Sequence, residues 1–140
     1  MIKSPILILD NTIDEMILVQ EAINALKLER EAYFFTGEED LLKFLHETRQ
    51  APFIIISDVS LETGNAFELK KRIATSPTLT YKTIPFVYWS SISVEKLIQH
   101  AYDVHSQGFF VKPSAIDELC DILSTIIQYW EKSKHPMPVS

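Results

Sequence analysis

The 140 residues carry a formal net charge of -6, a hydrophobic share of 46% and a charged share of 23%, the profile of one ordinary globular domain with room for a full core. The acidic balance argues against a nucleic-acid ligand, which needs a basic patch, and no apolar stretch is long enough to cross a bilayer or to form the core of a signal peptide. Cys120 is the only cysteine, so no internal disulfide can form, and a reducing, cytoplasmic setting fits.

Strand and helix patterns alternate along the chain. Ile6-Leu7-Ile8-Leu9 reads as a strand ending at Asp10-Asn11. Thr12-Ile13-Asp14-Glu15 has the spacing of a capping box and opens a helix to about Leu28, with Ile13, Met16, Ile17, Ala22, Ile23 and Leu26 as its apolar stripe. Glu31 to Phe35 reads as the second strand. Thr36-Gly37-Glu38-Glu39 is another capping box, followed by Leu41, Leu42, Phe44 and Leu45 on one face. The third strand, Phe53-Ile54-Ile55-Ile56, ends at Ser57-Asp58, and a helix is expected from about Asn65 to Ala74. The polar stretch from Thr75 to Thr83, broken by Pro77, is a connection. It leads to Pro85-Phe86-Val87-Tyr88-Trp89, a strand ending at Ser90-Ser91, and then to a helix over Val94 to Asp103. Phe109-Phe110-Val111 is the last strand and ends at Lys112-Pro113. Ser114-Ala115-Ile116-Asp117 should cap a final helix carrying Ile116, Leu119, Cys120, Leu123, Ile126, Ile127 and Trp130 at helical spacing. Over 131–140, which holds Pro136 and Pro138, a flexible tail is expected.

Five strand–helix pairs make a single α/β domain with a doubly wound, five-stranded parallel sheet the economical fold. Runs of β-branched and aromatic residues without polar alternation are strands buried on both faces. Sites in such sheets form outside the carboxyl ends of the strands. Asp10, Asp58, Ser90 and Lys112 each terminate an apolar run, so this topology brings them to one edge. Taken singly, each has a plainer role: the aspartates as strand-end or capping acids, Ser90 as a turn hydroxyl, Lys112 as a solvated lysine. Phe109 reads as a packed aromatic and Cys120 as a buried thiol. His46, His100, His105 and His135 stand at no metal-ligand spacing and read as surface histidines.

In this order and at these positions, residues 4–130 resemble a bacterial response regulator receiver domain. The likeness rests on Asp10-Asn11, on Asp58 with the following Val59 to Leu69, on Ser90, on Lys112-Pro113, and on Phe109 where the family carries its switch aromatic. It implies a flavodoxin-like sheet flanked by five helices, with Asp58 as phosphoacceptor and Ser90 and Lys112 stabilising the phosphoryl group. It implies magnesium held by Asp10, Asp58 and the backbone carbonyl of Ser60, and a cis bond between Lys112 and Pro113. The phosphoryl donor would be a sensor histidine kinase or a phosphotransfer domain. Ala101-Tyr102, Tyr129-Trp130 and the proline-containing tail are similar to small stand-alone receivers that partner with bacteriophytochrome-type kinases. A homodimer through the fourth helix, fifth strand and fifth helix belongs to the same expectation.

The sequence departs from the family at three points. Asn11 stands where a second acid is usual, Glu62 where a proline is, and Asn65-Ala66 where Asp-Gly is. Magnesium is therefore expected to bind weakly, with Asn11 either a weak or indirect ligand or a plain turn residue. Asn11 also favours the rival class, a degenerate receiver acting as a phosphorylation-independent interaction module. An aspartate-nucleophile phosphatase would need an acid two residues after Asp58, where Ser60 stands. Nucleotide or flavin binding would need a glycine-rich strand–helix loop, which Gly37, Gly64 and Gly108 do not make. The chain thus reads as a signalling domain without a separate substrate, not as an enzyme.

Overall fold

A computed structural model describes residues 3–10, 12–59, 66–92 and 94–140. Five parallel strands, β1 (Ile6–Leu9), β2 (Ala32–Phe35), β3 (Ile54–Asp58), β4 (Phe86–Ser90) and β5 (Gly108–Val111), lie in the order β2-β1-β3-β4-β5. The helices between and after them are α1 (Ile13–Leu26), α2 (Glu38–Glu47), α3 (Ala66–Thr75), α4 (Glu95–Asp103) and α5 (Ile116–Lys132). The chain winds outward from β1 to β2 and then reverses through β3, so the crevice between β1 and β3 is the topological switch point.

Side-chain alternation decides which residue meets which helix. Ile6, Ile8, Ile54, Ile56, Val87 and Trp89 pack on Val19, Ala22 and Ile23 of α1 and on Leu119, Leu123, Ile126 and Ile127 of α5. Leu7, Leu9, Ile55, Phe86 and Tyr88 pack on Leu41 and Leu45 of α2, Phe67, Leu69 and Ile73 of α3, and Ala101 of α4. Each such side chain contributes about 1.5–3 kcal/mol by leaving water. With both faces covered, β1, β3 and β4 are buried from end to end, which is why their sequences show no polar alternation. The edge strand β2 is half buried along its length, and β5 runs from a buried Gly108 to an exposed Val111.

Two of the helices begin one residue later than their polar spacing suggests. The caps are Gly37 at α2 and Ala115 at α5 in place of Thr36 and Ser114. Thr12 does cap α1, but without a side-chain capping bond. Acidic first turns complement the helix dipole instead: Asp14 and Glu15, then Glu38, Glu39 and Asp40, then Asp117 and Glu118. The Lys112–Pro113 bond is trans, since no described peptide bond is cis. That corrects the expectation from the resemblance and matches the isomer favoured by about 0.5–1 kcal/mol before proline. The connection over 76–85 is irregular, as expected, and is pinned to the core by Leu79 and Ile84.

The chain after α5 differs most from expectation. The helix itself occupies 131 and 132. Residues beyond it lie along the amino-terminal edge of the sheet, where a flexible tail was expected. Ser4 N–H donates to Ser140 O at 3.0 Å, and Ser140 N–H donates to Ser4 Oγ at 3.0 Å. His135, far from a free surface histidine, places Nε2 2.7 Å from Phe53 O and stacks on the Phe53 ring. Arg30 anchors the arrangement. Its Nη1 donates to Ser4 O at 3.0 Å and to Ser140 O, and Nε and Nη2 fork onto Glu131 at 3.0 and 3.3 Å. Its guanidinium lies 3.8 Å from the Phe53 ring centroid. Met137 and Val139 add to the two halves of the core. Nothing local announces these contacts, because Arg30 and Ser140 are 110 residues apart. No described helix is long and apolar enough to cross a membrane.

Candidate functional site

The alternation that fills the core also assembles the carboxyl edge. Asp10 continues the Ile6-Ile8 side of β1, and Asp58 continues the Ile54-Ile56 side of β3. Lys112 continues the Gly108-Phe110 side beyond β5. All three therefore emerge on the side of α1 and α5. Ser90 follows Phe86 and Tyr88 and leaves on the other side, toward α3 and α4.

Asp10 is fixed through backbone and side chain. Its N–H donates to Phe35 O at 2.9 Å, and its Oδ1 accepts the Thr12 N–H at 2.9 Å. Its Oδ2 accepts from Lys112 Nζ at 2.5 Å. The same ammonium lies 3.3 Å from Asp58 Oδ2 and 3.6 Å from Glu15 Oε1. Asp10, Asp58 and Lys112 are buried, whereas the Glu15 side chain is 34% exposed and reaches in from the first turn of α1. A buried cluster of this kind persists because each charge has a partner; removing one leaves an uncompensated ion.

Burial works against the Lys112 charge. The hydrogen bond that the ammonium donates to Asp10 and the charges of Asp58, Asp10 and Glu15 outweigh it, so the ammonium is held above the usual lysine pKa. A raised folded-state pKa stabilises fully below the unfolded value of about 10.4 and is lost only as pH climbs through the folded value. Lys112 therefore stays charged across the whole neutral range.

Backbone bonds lock neighbouring strand ends in register. Val59 N–H donates to Trp89 O at 3.1 Å, and Lys112 N–H donates to Ser90 O at 2.8 Å. Ser90 Oγ accepts the Ile92 N–H at 3.1 Å, and a hydroxyl that accepts there still has its own proton to donate. Phe109 is half buried and packs with Leu97 against the α2–α4 side of the core. Cys120 is half buried, with Sγ 3.6 Å from Ala22 O. Asn11, Ser60 with its carbonyl, Glu62 and Asn65 lie outside the described residues.

Glu15 is the site residue that the sequence reading missed. Its place three residues after Thr12 reads as the acid of a capping box. The signal was present all the same: a helix starting directly after Asp10 returns its first turn to the same edge. Carboxylate oxygens of Asp10, Glu15 and Asp58 lie within 4.8 Å of one another. An anionic, all-oxygen donor set suits a hard divalent cation such as magnesium.

No protein-family model matches the chain, and no curated protein matches it. Solved structures do. The chain is similar to the phosphorylated cyanobacterial phytochrome response regulator RcpA, at 24% identity and a TM-score of 0.81, over 98% of this chain and 100% of that one. It is similar to response regulator RPA3017 in red light signalling of R. palustris, at 14% identity and a TM-score of 0.83, over 96% and 99%. The Mn(2+)-bound form of response regulator Rcp1 follows at 21% identity and a TM-score of 0.77, over 96% and 99%. The fold of this chain is the flavodoxin-like fold of response regulator receiver domains.

Proposed function

We propose that the chain is a single-domain response regulator whose Asp58 accepts a phosphoryl group from a histidine kinase or phosphotransfer domain in a two-component phosphorelay. The observation that carries this reading is the Lys112 ammonium shared by Asp10 and Asp58 in one buried cluster at the switch point. An Asp58 carboxylate oxygen attacks phosphorus as the bond from phosphorus to the donor breaks and the donor leaves with its electron pair. An anion approaches an anion, so the step depends on positioning and on cations around the phosphoryl oxygens. Lys112 brings one positive charge. Ser90 donates a hydrogen bond to a phosphoryl oxygen. Asp10, Glu15 and Asp58, together with the Ser60 carbonyl and more weakly Asn11, would hold magnesium, which neutralises further charge when bound. Phe109, packed beside α4, would carry the change outward. The chain acts on itself and has no separate substrate, in keeping with a cytoplasmic signalling domain.

Intact mass after exposure to acetyl phosphate and magnesium tests this directly. One hydroxylamine-labile phosphoryl group is expected. Its absence would return the reading to a phosphorylation-independent interaction module.

Glu15→Gln is expected to weaken magnesium binding about tenfold in calorimetry. A unit charge and a dication about 4 Å apart interact by roughly 8 kcal/mol at an effective dielectric near 20, most of it offset by desolvation. Unchanged affinity would remove Glu15 from the metal.

The kinase we infer is bacteriophytochrome-like, on the support of the phytochrome and red-light regulators among the similar structures. A homodimer through α4, β5 and α5 is supported by the exposed Tyr102, Val111 and Tyr129, one on each of those elements. A groove of about 270 Å³ lined by Phe110, Tyr129 and Trp130 runs alongside. Sedimentation should show a dimer for the phosphorylated wild type and a monomer for Tyr129→Ala/Trp130→Ala. Monomers throughout would place partner binding on another face.

A further inference from the structure

Trp89 leads the fully buried side chains in volume, and the residue ends the apolar part of β4. It stands in register with Asp58 on β3 and one residue before Ser90. Its side chain lies on the side of α1 and α5, from which Asp10, Asp58 and Lys112 also emerge. Lys112 Nζ sits 5.2 Å from the centroid of the indole, within reach of a cation–π contact. The indole Nε1–H, by contrast, is buried with no hydrogen-bond partner among the described residues. Packing alone does not favour such a choice, since phenylalanine or leucine would fill a core without an unpaired donor. What tryptophan offers over both is the aromatic face that attracts a cation most strongly.

We propose that Trp89 is a positioning residue for Lys112, its indole face being a seat for the ammonium that the reaction leaves in place. The inference rests on the reading of Asp58 as phosphoacceptor. In the resting cluster Lys112 is held by Asp10, Asp58 and Glu15. Once Asp58 carries the phosphoryl group, and Asp10 and Glu15 turn to a divalent cation, all three carboxylates have other partners. The indole is fixed by the core on every side and keeps its contact. It holds Nζ beside the phosphoryl oxygens, where the flexible stem of a lysine would otherwise swing outward.

The test is a double-mutant cycle on the rate of phosphoryl uptake from acetyl phosphate at saturating magnesium. Trp89→Leu is expected to slow uptake about tenfold when Lys112 is present and to add nothing in a Lys112→Met background. Trp89→Phe, with a weaker ring face, falls between wild type and Trp89→Leu, and it carries the comparison if the leucine variant does not fold. A tryptophan that only fills the core would slow both backgrounds alike. In parallel, Trp130→Phe leaves Trp89 as the only tryptophan of the chain. Its emission should shift by a few nanometres on Lys112→Met, with no phosphodonor present, and shift less on Lys112→Arg, which keeps the charge. This measurement is independent of phosphoryl chemistry, so it decides the contact even if the wild type takes up no phosphoryl group. Equal slowing in both backgrounds, or an emission unmoved by loss of the charge, overturns the proposal.

Discussion

Asp58→Asn should lose phosphoryl uptake from acetyl phosphate by at least about a thousandfold, with the fold intact. The amide that replaces the carboxylate is neutral and cannot form the acyl phosphate. The structural side effect is small for a specific reason. Lys112 keeps Asp10 at 2.5 Å and Glu15 at 3.6 Å, so no buried charge is left without a partner. Thermal unfolding of the variant should stay close to that of the wild type, which separates loss of the nucleophile from loss of the domain. Asp10→Asn makes the informative comparison. It keeps the nucleophile but removes the negative charge at the shortest contact of Lys112, so uptake should be slowed and not abolished. Full uptake by Asp58→Asn would move the acceptor to Asp10, the other buried carboxylate of the cluster.

The largest expected effect on stability lies at the opposite end of the sheet. Arg30→Ala should lower stability by about 3 kcal/mol, or roughly 10 °C in Tm for a domain of this size. The buried guanidinium bonds Ser4 O, Ser140 O and both oxygens of Glu131 while lying on Phe53, and its loss leaves the buried Ser4 O without its donor as well as releasing the tail. Glu131→Ala should cost about 1 kcal/mol or less, because that carboxylate is 46% exposed and is solvated when unpaired. Phosphoryl uptake should be unchanged in both variants, since the chemistry sits at the other edge. A Tm for Arg30→Ala equal to that of wild type would mean that the tail contacts add nothing to the folded state.

What the sequence disclosed follows from burial. β1, β3 and β4 are covered on both faces, so Ile6 to Leu9, Ile54 to Ile56 and Phe86 to Trp89 stand out as unbroken apolar runs. Their ends place Asp10, Asp58 and Ser90 without further information. Helix starts were less legible: Thr36 and Ser114 have capping chemistry, yet the chain turns one residue later at Gly37 and Ala115. Three features were hidden because they depend on partners distant in sequence. Glu15 matches a capping box so well that its approach to Lys112 escapes a local reading. Trp89 looks like one more apolar residue until Lys112 is found over its ring. The tail reads as polar and proline-broken, and partners far away in sequence, Arg30 just before β2 foremost among them, explain why it lies where it does.

The alternation along the strands also governs where the chain can change length. On β4, Trp89 and Ser90 point to opposite faces, as do Ser57 and Asp58 on β3. Deleting a single residue within either strand would turn every following side chain over. In β4 it would carry an indole toward the α3–α4 side and a hydroxyl under the lysine, so core and cluster would fail together. In the irregular stretch over 76–85, the same deletion or an insertion shifts no such pattern, provided Leu79 and Ile84 keep their places. Length variation among chains of this kind should therefore collect at the amino ends of the strands and in the connections. Inside β3 and β4 the residue count should behave as a fixed quantity even where the residues themselves are exchanged.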